Sequence, residues 1–148
     1  MEIRAIDHLC IAVKDLDKAR RAYEEELGLE LHSLYVAESE KIRVARYYIG
    51  DVALELIAAT SPDSEVAKFI RKRGEGFFLI SYRVDDVEDA LAELKAKGVR
   101  TIDQSPRHLM GNRYAFIHFP KELSGVLTEL LDGEYDCSEE RGHEEQTD

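Results

Sequence analysis

Asp7-His8-Leu9-Cys10-Ile11-Ala12-Val13-Lys14-Asp15-Leu16-Asp17-Lys18-Ala19 is written twice in this chain of 148 residues. The second copy is Phe78-Leu79-Ile80-Ser81-Tyr82-Arg83-Val84-Asp85-Asp86-Val87-Glu88-Asp89-Ala90, at an offset of 71. Val13 answers Val84, Asp15 answers Asp86 and Ala19 answers Ala90. A second echo follows in the same order at an offset of 74, where Gly50-Asp51-Val52-Ala53-Leu54-Glu55-Leu56-Ile57 answers Ser124-Gly125-Val126-Leu127-Thr128-Glu129-Leu130-Leu131. Two echoes in one order at nearly one offset describe an internal duplication of a unit about half the chain long.

Each copy reads as β-α-β-β-β. Ile6 to Val13 alternates as a strand, with Leu9, Ile11 and Val13 on one face and His8, Cys10 and Ala12 on the other. Asp15 or Asp17 then caps a helix that runs to about Leu27 and stops at Gly28. Leu29–Val36, Lys41–Ile49 and Val52–Ala58 read as strands, the last two joined by the hairpin turn Gly50-Asp51. Thr60 to Ser64 is the joint, and Ser64 caps a helix through Arg73. The second copy gives a strand over Phe77–Val84, a helix over Val87–Lys97, and strands near Arg100–Gln104, Asn112–Phe119 and Val126–Leu131. Met110-Gly111-Asn112 and Lys121–Ser124 supply its turns. The expected fold is α+β, two tandem βαβββ modules forming a half-open barrel. It is one domain over residues 1–132, with module one at 5–59, the joint at 60–75 and module two at 76–132. Residues 133–148, acidic and without period, read as a disordered tail.

Composition narrows the function classes. A hydrophobic fraction of 44% with 34% charged residues describes a globular chain. No run approaches the ~18 apolar residues of a membrane span, and the first residues lack a signal-peptide layout. A net charge of −11 argues against nucleic acid. Two cysteines, Cys10 and Cys137, form neither a disulfide framework nor a metal motif, so a cytoplasmic location is expected.

The chemistry-bearing residues fall on one face of each module. Away from the helices lie His8-Cys10-Ala12 on one first strand and Leu79-Ser81-Arg83 on the other. Glu55 and Glu129 sit at the same place in the two last strands, each opposite in parity to its aliphatic neighbours. A buried carboxylate is costly unless it is paired or metal-bound. Two at repeated positions, with His8 on the neighbouring strand, point to a divalent-metal site of His8, Glu55 and Glu129. The alternative is a pair of solvated glutamates. Arg83, on the same face, needs an anion, which Glu55, Glu129 or a substrate carboxylate would supply. His32 and His118 read as ordinary strand histidines. His108, in a loop, is the candidate for a replacement ligand. Arg71-Lys72-Arg73 with Lys68 suits phosphates as well as solvent.

These stretches, together with Ser61-Pro62-Asp63-Ser64-Glu65-Val66-Ala67-Lys68-Phe69-Ile70 and its continuation to Gly76, resemble the vicinal oxygen chelate superfamily (glyoxalase/bleomycin resistance/dioxygenase). Within it they are most similar to methylmalonyl-CoA epimerases. The resemblance implies an isomerase acting on an acyl-CoA, with a divalent ion (Co, Ni, Mn, Zn or Mg) held by His8, Glu55 and Glu129, and a homodimer. It puts a fourth ligand, a histidine, at the position of Leu79. It also implies two proton-transferring bases, of which Glu129 is one. The other aligns with Ser39, whose neighbours Glu38 and Glu40 carry carboxylates, and Glu40 is the candidate. Two further readings stand beside this one: a superfamily member that binds a small ligand without turnover, and a glyoxalase I-like lyase.

Overall fold

The computed structural model describes residues 1–117 and 123–139. The expected strand end at His118 and Phe119, most of the turn after it, and His143 lie outside the described residues. The elements alternate as the duplication requires: β1 (Ala5–Ala12), α1 (Leu16–Arg21), β2 (Leu31–Ala37), β3 (Ile42–Ile49), β4 (Val52–Ala59), α2 (Glu65–Arg73), β5 (Gly76–Arg83), α3 (Val87–Ala96), β6 (Arg107–Leu109), β7 (Asn112–Ile117) and β8 (Leu127–Gly133). No helix among the described residues is long and apolar enough to cross a membrane. By contacts the described residues divide into two units, Leu9–Phe78 with Cys137–Glu139, and Met1–His8 with the described part of Leu79–Asp136. The division therefore cuts β1 after His8, not between the two sequence repeats.

In the Leu9–Phe78 unit the strands run in the order β2-β3-β4-β1. Asp15 caps α1 by accepting the Lys18 N–H, so the nearer of the two candidate aspartates is the cap. The helix then loosens into a π-helical turn over Ala22–Glu26 before Gly28 takes a φ of 74°. Alternation decides which side chains meet it. Val13, Leu16, Ala45, Tyr47, Leu56 and Ala58 form the core under the helix. Tyr47, fully buried, donates its hydroxyl to Glu24 at 2.9 Å. The other parity, Val44, Arg46, Glu55 and Ile57, is turned the opposite way. Ser64 caps α2 by accepting the Val66 N–H.

In the Met1–His8 and Leu79–Asp136 unit the order is β1-β5-β8-β7-β6. Parallel β5 and β8 pair with Ser81 opposite Glu129 and Leu79 opposite Leu127. Val84, Val87, Ala90, Leu91, Leu94, Ala115, Ile117 and Leu130 make the core under α3. Asp132 holds the start of that helix, accepting the Val87 N–H at 2.7 Å and both bonds of the Arg113 fork.

Two expectations are corrected here. The strand near Arg100–Gln104 is a single bridge, Thr101 to Ile117. Beyond it the Asp103 carboxylate takes the Phe116 N–H at 2.9 Å, so a side chain replaces the strand's next bond. The pairing strand comes later, at Arg107–Leu109. The start of the expected tail is also placed. Gly133 completes β8, the Asp136 N–H donates to the Met110 carbonyl at 2.6 Å, and Cys137–Glu139 forms a 3₁₀ turn.

Candidate functional site

His8, Glu55 and Glu129 are all buried, at 6%, 4% and 6% exposure, as their strand parity requires. In the unit that holds both, His8 and Glu129 come together: Nε2 of the imidazole lies 3.6 Å from Oε1 of the carboxylate. Ser81, directly across β8, donates to the same Oε1 at 2.8 Å. The other ring nitrogen, Nδ1, is 2.8 Å from Oδ2 of Asp7. Asp7 in turn accepts from Arg83 at 2.7 Å. Arg83 thus finds its anion in Asp7 and a second acceptor in the Gly133 carbonyl, not in Glu129. Burial would raise the Asp7 carboxyl, but the bonds and charges of His8 and Arg83 outweigh it and hold it at about 2.

An ionised carboxylate only accepts, so the Nδ1 that meets Asp7 carries the ring hydrogen. In the neutral ring the lone pair is then on Nε2, 3.6 Å from a carboxylate oxygen. Two acceptors at this separation call for a proton or a cation between them. Ligand atoms each roughly 2.1 Å from one ion subtend an angle of about 120° at 3.6 Å apart, within the range that a divalent centre accepts. The donor set, an imidazole with its far nitrogen tied to a carboxylate and a carboxylate held by a hydroxyl, fits such an ion.

Glu55 is organised differently within its own unit. Its Oε2 accepts from Tyr35 at 2.8 Å and from Arg46 at 2.9 Å, and the Cys10 thiol donates to its Oε1 at 3.5 Å. Arg46, 3% exposed, also meets the Tyr48 hydroxyl through Nε and Nη2. Burial opposes its charge, but the Glu55 carboxylate and the Tyr48 hydroxyl more than offset this and hold the guanidinium above its ordinary value. Glu55 therefore already has a buried cation.

Sequence reasoning missed Asp7 and Arg46. Arg46 was within reach of it. Counting outward from the two-residue turn Gly50-Asp51 puts Arg46 opposite Glu55, and that is the observed register. Asp7 sits beside His8 with no comparable signal, because adjacent strand residues ordinarily face opposite ways. Of the other expected residues, Glu40 lies half-buried in the β2–β3 turn with Glu38 and Ser39. Ile42 pairs with Ala59, four residues along β4 from Glu55, so this turn stands roughly 13 Å or more up the strand from that carboxylate. His108 is exposed on the edge strand β6, opposite Arg113.

The chain has relatives of known family and fold. Residues 5–130 match the family described as Glyoxalase/Bleomycin resistance protein/Dioxygenase superfamily. The Bacillus subtilis uncharacterized protein YqjC is 38% identical over 128 residues, covering 86% of this chain and 91% of the relative. Human mitochondrial methylmalonyl-CoA epimerase is 31% identical over 127 residues, covering 84% and 72%. The Streptomyces coelicolor methylmalonyl-CoA epimerase, solved with 2-nitronate-propionyl-CoA, superposes with a TM-score of 0.82 at 35% identity, covering 93% of this chain and 97% of that one. The match spans both βαβββ repeats, and the chain belongs to the Glyoxalase/Bleomycin resistance protein/Dioxygenase superfamily, with methylmalonyl-CoA epimerases among its relatives.

Proposed function

We propose that the protein is an epimerase of the methylmalonyl-CoA type, interconverting the (R) and (S) thioesters by proton transfer at C2. The observation that carries this reading is the buried pair of His8 Nε2 and Glu129 Oε1, 3.6 Å apart. His8 and Glu129, with Glu55 as the third residue, would hold a divalent ion. When bound, that ion supplies positive charge for the thioester and carboxylate oxygens as the C2 proton leaves.

The chain's own residues do the rest. Ser81 fixes one oxygen of Glu129, which orients the carboxylate for its second role as the base on one face of C2. Glu40, by resemblance, is the candidate base for the other face. The proton that one carboxylate removes is replaced by the proton of the other, so inversion needs no redox partner. A homodimer in the cytoplasm completes the reading.

The test is deuterium exchange at C2 of methylmalonyl-CoA in D2O, first with EDTA and then with added Co2+. Fast exchange that appears only with the ion is expected. Exchange no faster than in buffer under both conditions would sink the reading for this substrate.

The ion pair between Arg46 and Glu55 favours a second reading, a ligand-binding relative without turnover, because it leaves one expected ligand already compensated. Leu79→His separates the two. In a site built for an ion it should tighten Co2+ binding roughly tenfold or more, measured by titration calorimetry. In a pocket shaped only for an organic ligand it should not.

A further inference from the structure

We propose that Asp7, held by Arg83, is the positioning residue that commits Nε2 of His8 to ligation. The inference rests on the metal site proposed above and adds a residue outside its ligand set.

Three observations carry it. The first is the chain of bonds: Arg83 Nη2 donates to Asp7 Oδ1 at 2.7 Å, and Asp7 Oδ2 lies 2.8 Å from His8 Nδ1. Each carboxylate oxygen has its own partner, so the group can neither rotate nor turn away from the ring without breaking a charge-assisted bond. The second is the outcome at the ring. Nδ1 meets Asp7, and Nε2 lies 3.6 Å from Glu129 Oε1.

The third comes from the duplication. Asp7-His8 in the first copy stands where the second has Phe78-Leu79. The two differences come together. A buried aspartate beside a leucine would have no imidazole to serve. Phe78 has instead joined an edge-to-face contact with Phe69, with centroids 5.1 Å apart. An acid with only a structural purpose need not be absent where the histidine is absent.

A histidine ligand whose second nitrogen is tied to a carboxylate has a fixed tautomer and a more basic ligating nitrogen. Removing the tie typically weakens metal binding ten- to a hundred-fold.

The experiment reads the ring itself. Long-range 1H–15N correlation spectra of the full-length protein at neutral pH report which nitrogen of His8 carries the hydrogen, assigned against His8→Gln. The wild type should show the Nδ1–H tautomer. Asp7→Asn, which also takes the anion from Arg83 and so should unfold at a lower temperature, should show a mixed or reversed tautomer and bind Co2+ at least tenfold more weakly by calorimetry at a temperature where it is folded. An Nε2–H tautomer in the wild type would overturn the proposal whether or not the variant folds. So would an Asp7→Asn protein with both tautomer and Co2+ affinity unchanged. If the wild type binds no Co2+, the metal site fails first, and the His8 tautomer alone then decides whether Asp7 positions the ring.

Discussion

Arg46 and Tyr47 are neighbours on β3 that face opposite ways, and each holds a glutamate. For Arg46 the partner is Glu55, and both are buried. Removing one member of such a pair strands the other as an uncompensated charge, at a cost of about 3–5 kcal/mol. Arg46→Met should therefore lower unfolding free energy by that order. Arg46→Met combined with Glu55→Leu should recover most of the loss, as read by urea denaturation. Equal losses in the single and double variants would show that the pair is not what the packing depends on. For Tyr47 the partner is Glu24. Burial, and then the carboxylate it donates to, push the phenol up to about 12. A folded-state value above the unfolded one, near 10, stabilises fully below pH ~10 and is lost as pH rises through 12. Stability should fall across that window in the wild type, and this part of the fall should vanish in Tyr47→Phe. At neutral pH that variant should cost about 1 kcal/mol for the lost bond.

At the scale of elements, what was legible depended on whether a signal was local. Ser64 and Asp15 were readable as caps because a cap is a matter of one residue and the next turn. The Ser64 hydroxyl accepts the Val66 N–H and also reaches the Glu40 carbonyl at 3.4 Å. Ser64→Ala should thus cost about 1–2 kcal/mol, measured by thermal or urea unfolding, with Ser64→Asp less damaging. The β6 position was not readable. Arg100–Gln104 alternates well enough to pass for a strand, but Asp103 spends its carboxylate on Phe116 and Arg107. Which backbone group a side chain will take is decided by a strand residue thirteen positions later. For the candidate site, the repeat and strand parity pointed to His8, Glu55 and Glu129, and the structure buries all three. They said nothing of Asp7, because its role depends on Arg83, 76 residues away.

For the whole molecule, the sequence repeat and the structural units do not coincide. The first unit draws all its strands from the run Leu9–Phe78, whereas the second joins Met1–His8 to Leu79–Asp136. In the first, β2, β3 and β4 close on one another through short turns, and such contacts form early because they fix little chain. In the second, β8 lies parallel to β5, 48 residues before it. Pulse-labelled hydrogen exchange during refolding should therefore protect the β3–β4 amides before those of β5 and β8. Simultaneous protection would show that the units fold as one.

The division after His8 has a consequence for synthesis. His8 and Glu129 are 121 residues apart, and the second unit takes its strands from both ends of the chain. A growing polypeptide emerges with its histidine first and receives its facing carboxylate only when β8 has left the ribosome. Until then no more than half of the proposed cation pair exists. The metal site proposed above would therefore open to an ion only after β8 and its Glu129 have been translated, 121 residues beyond His8.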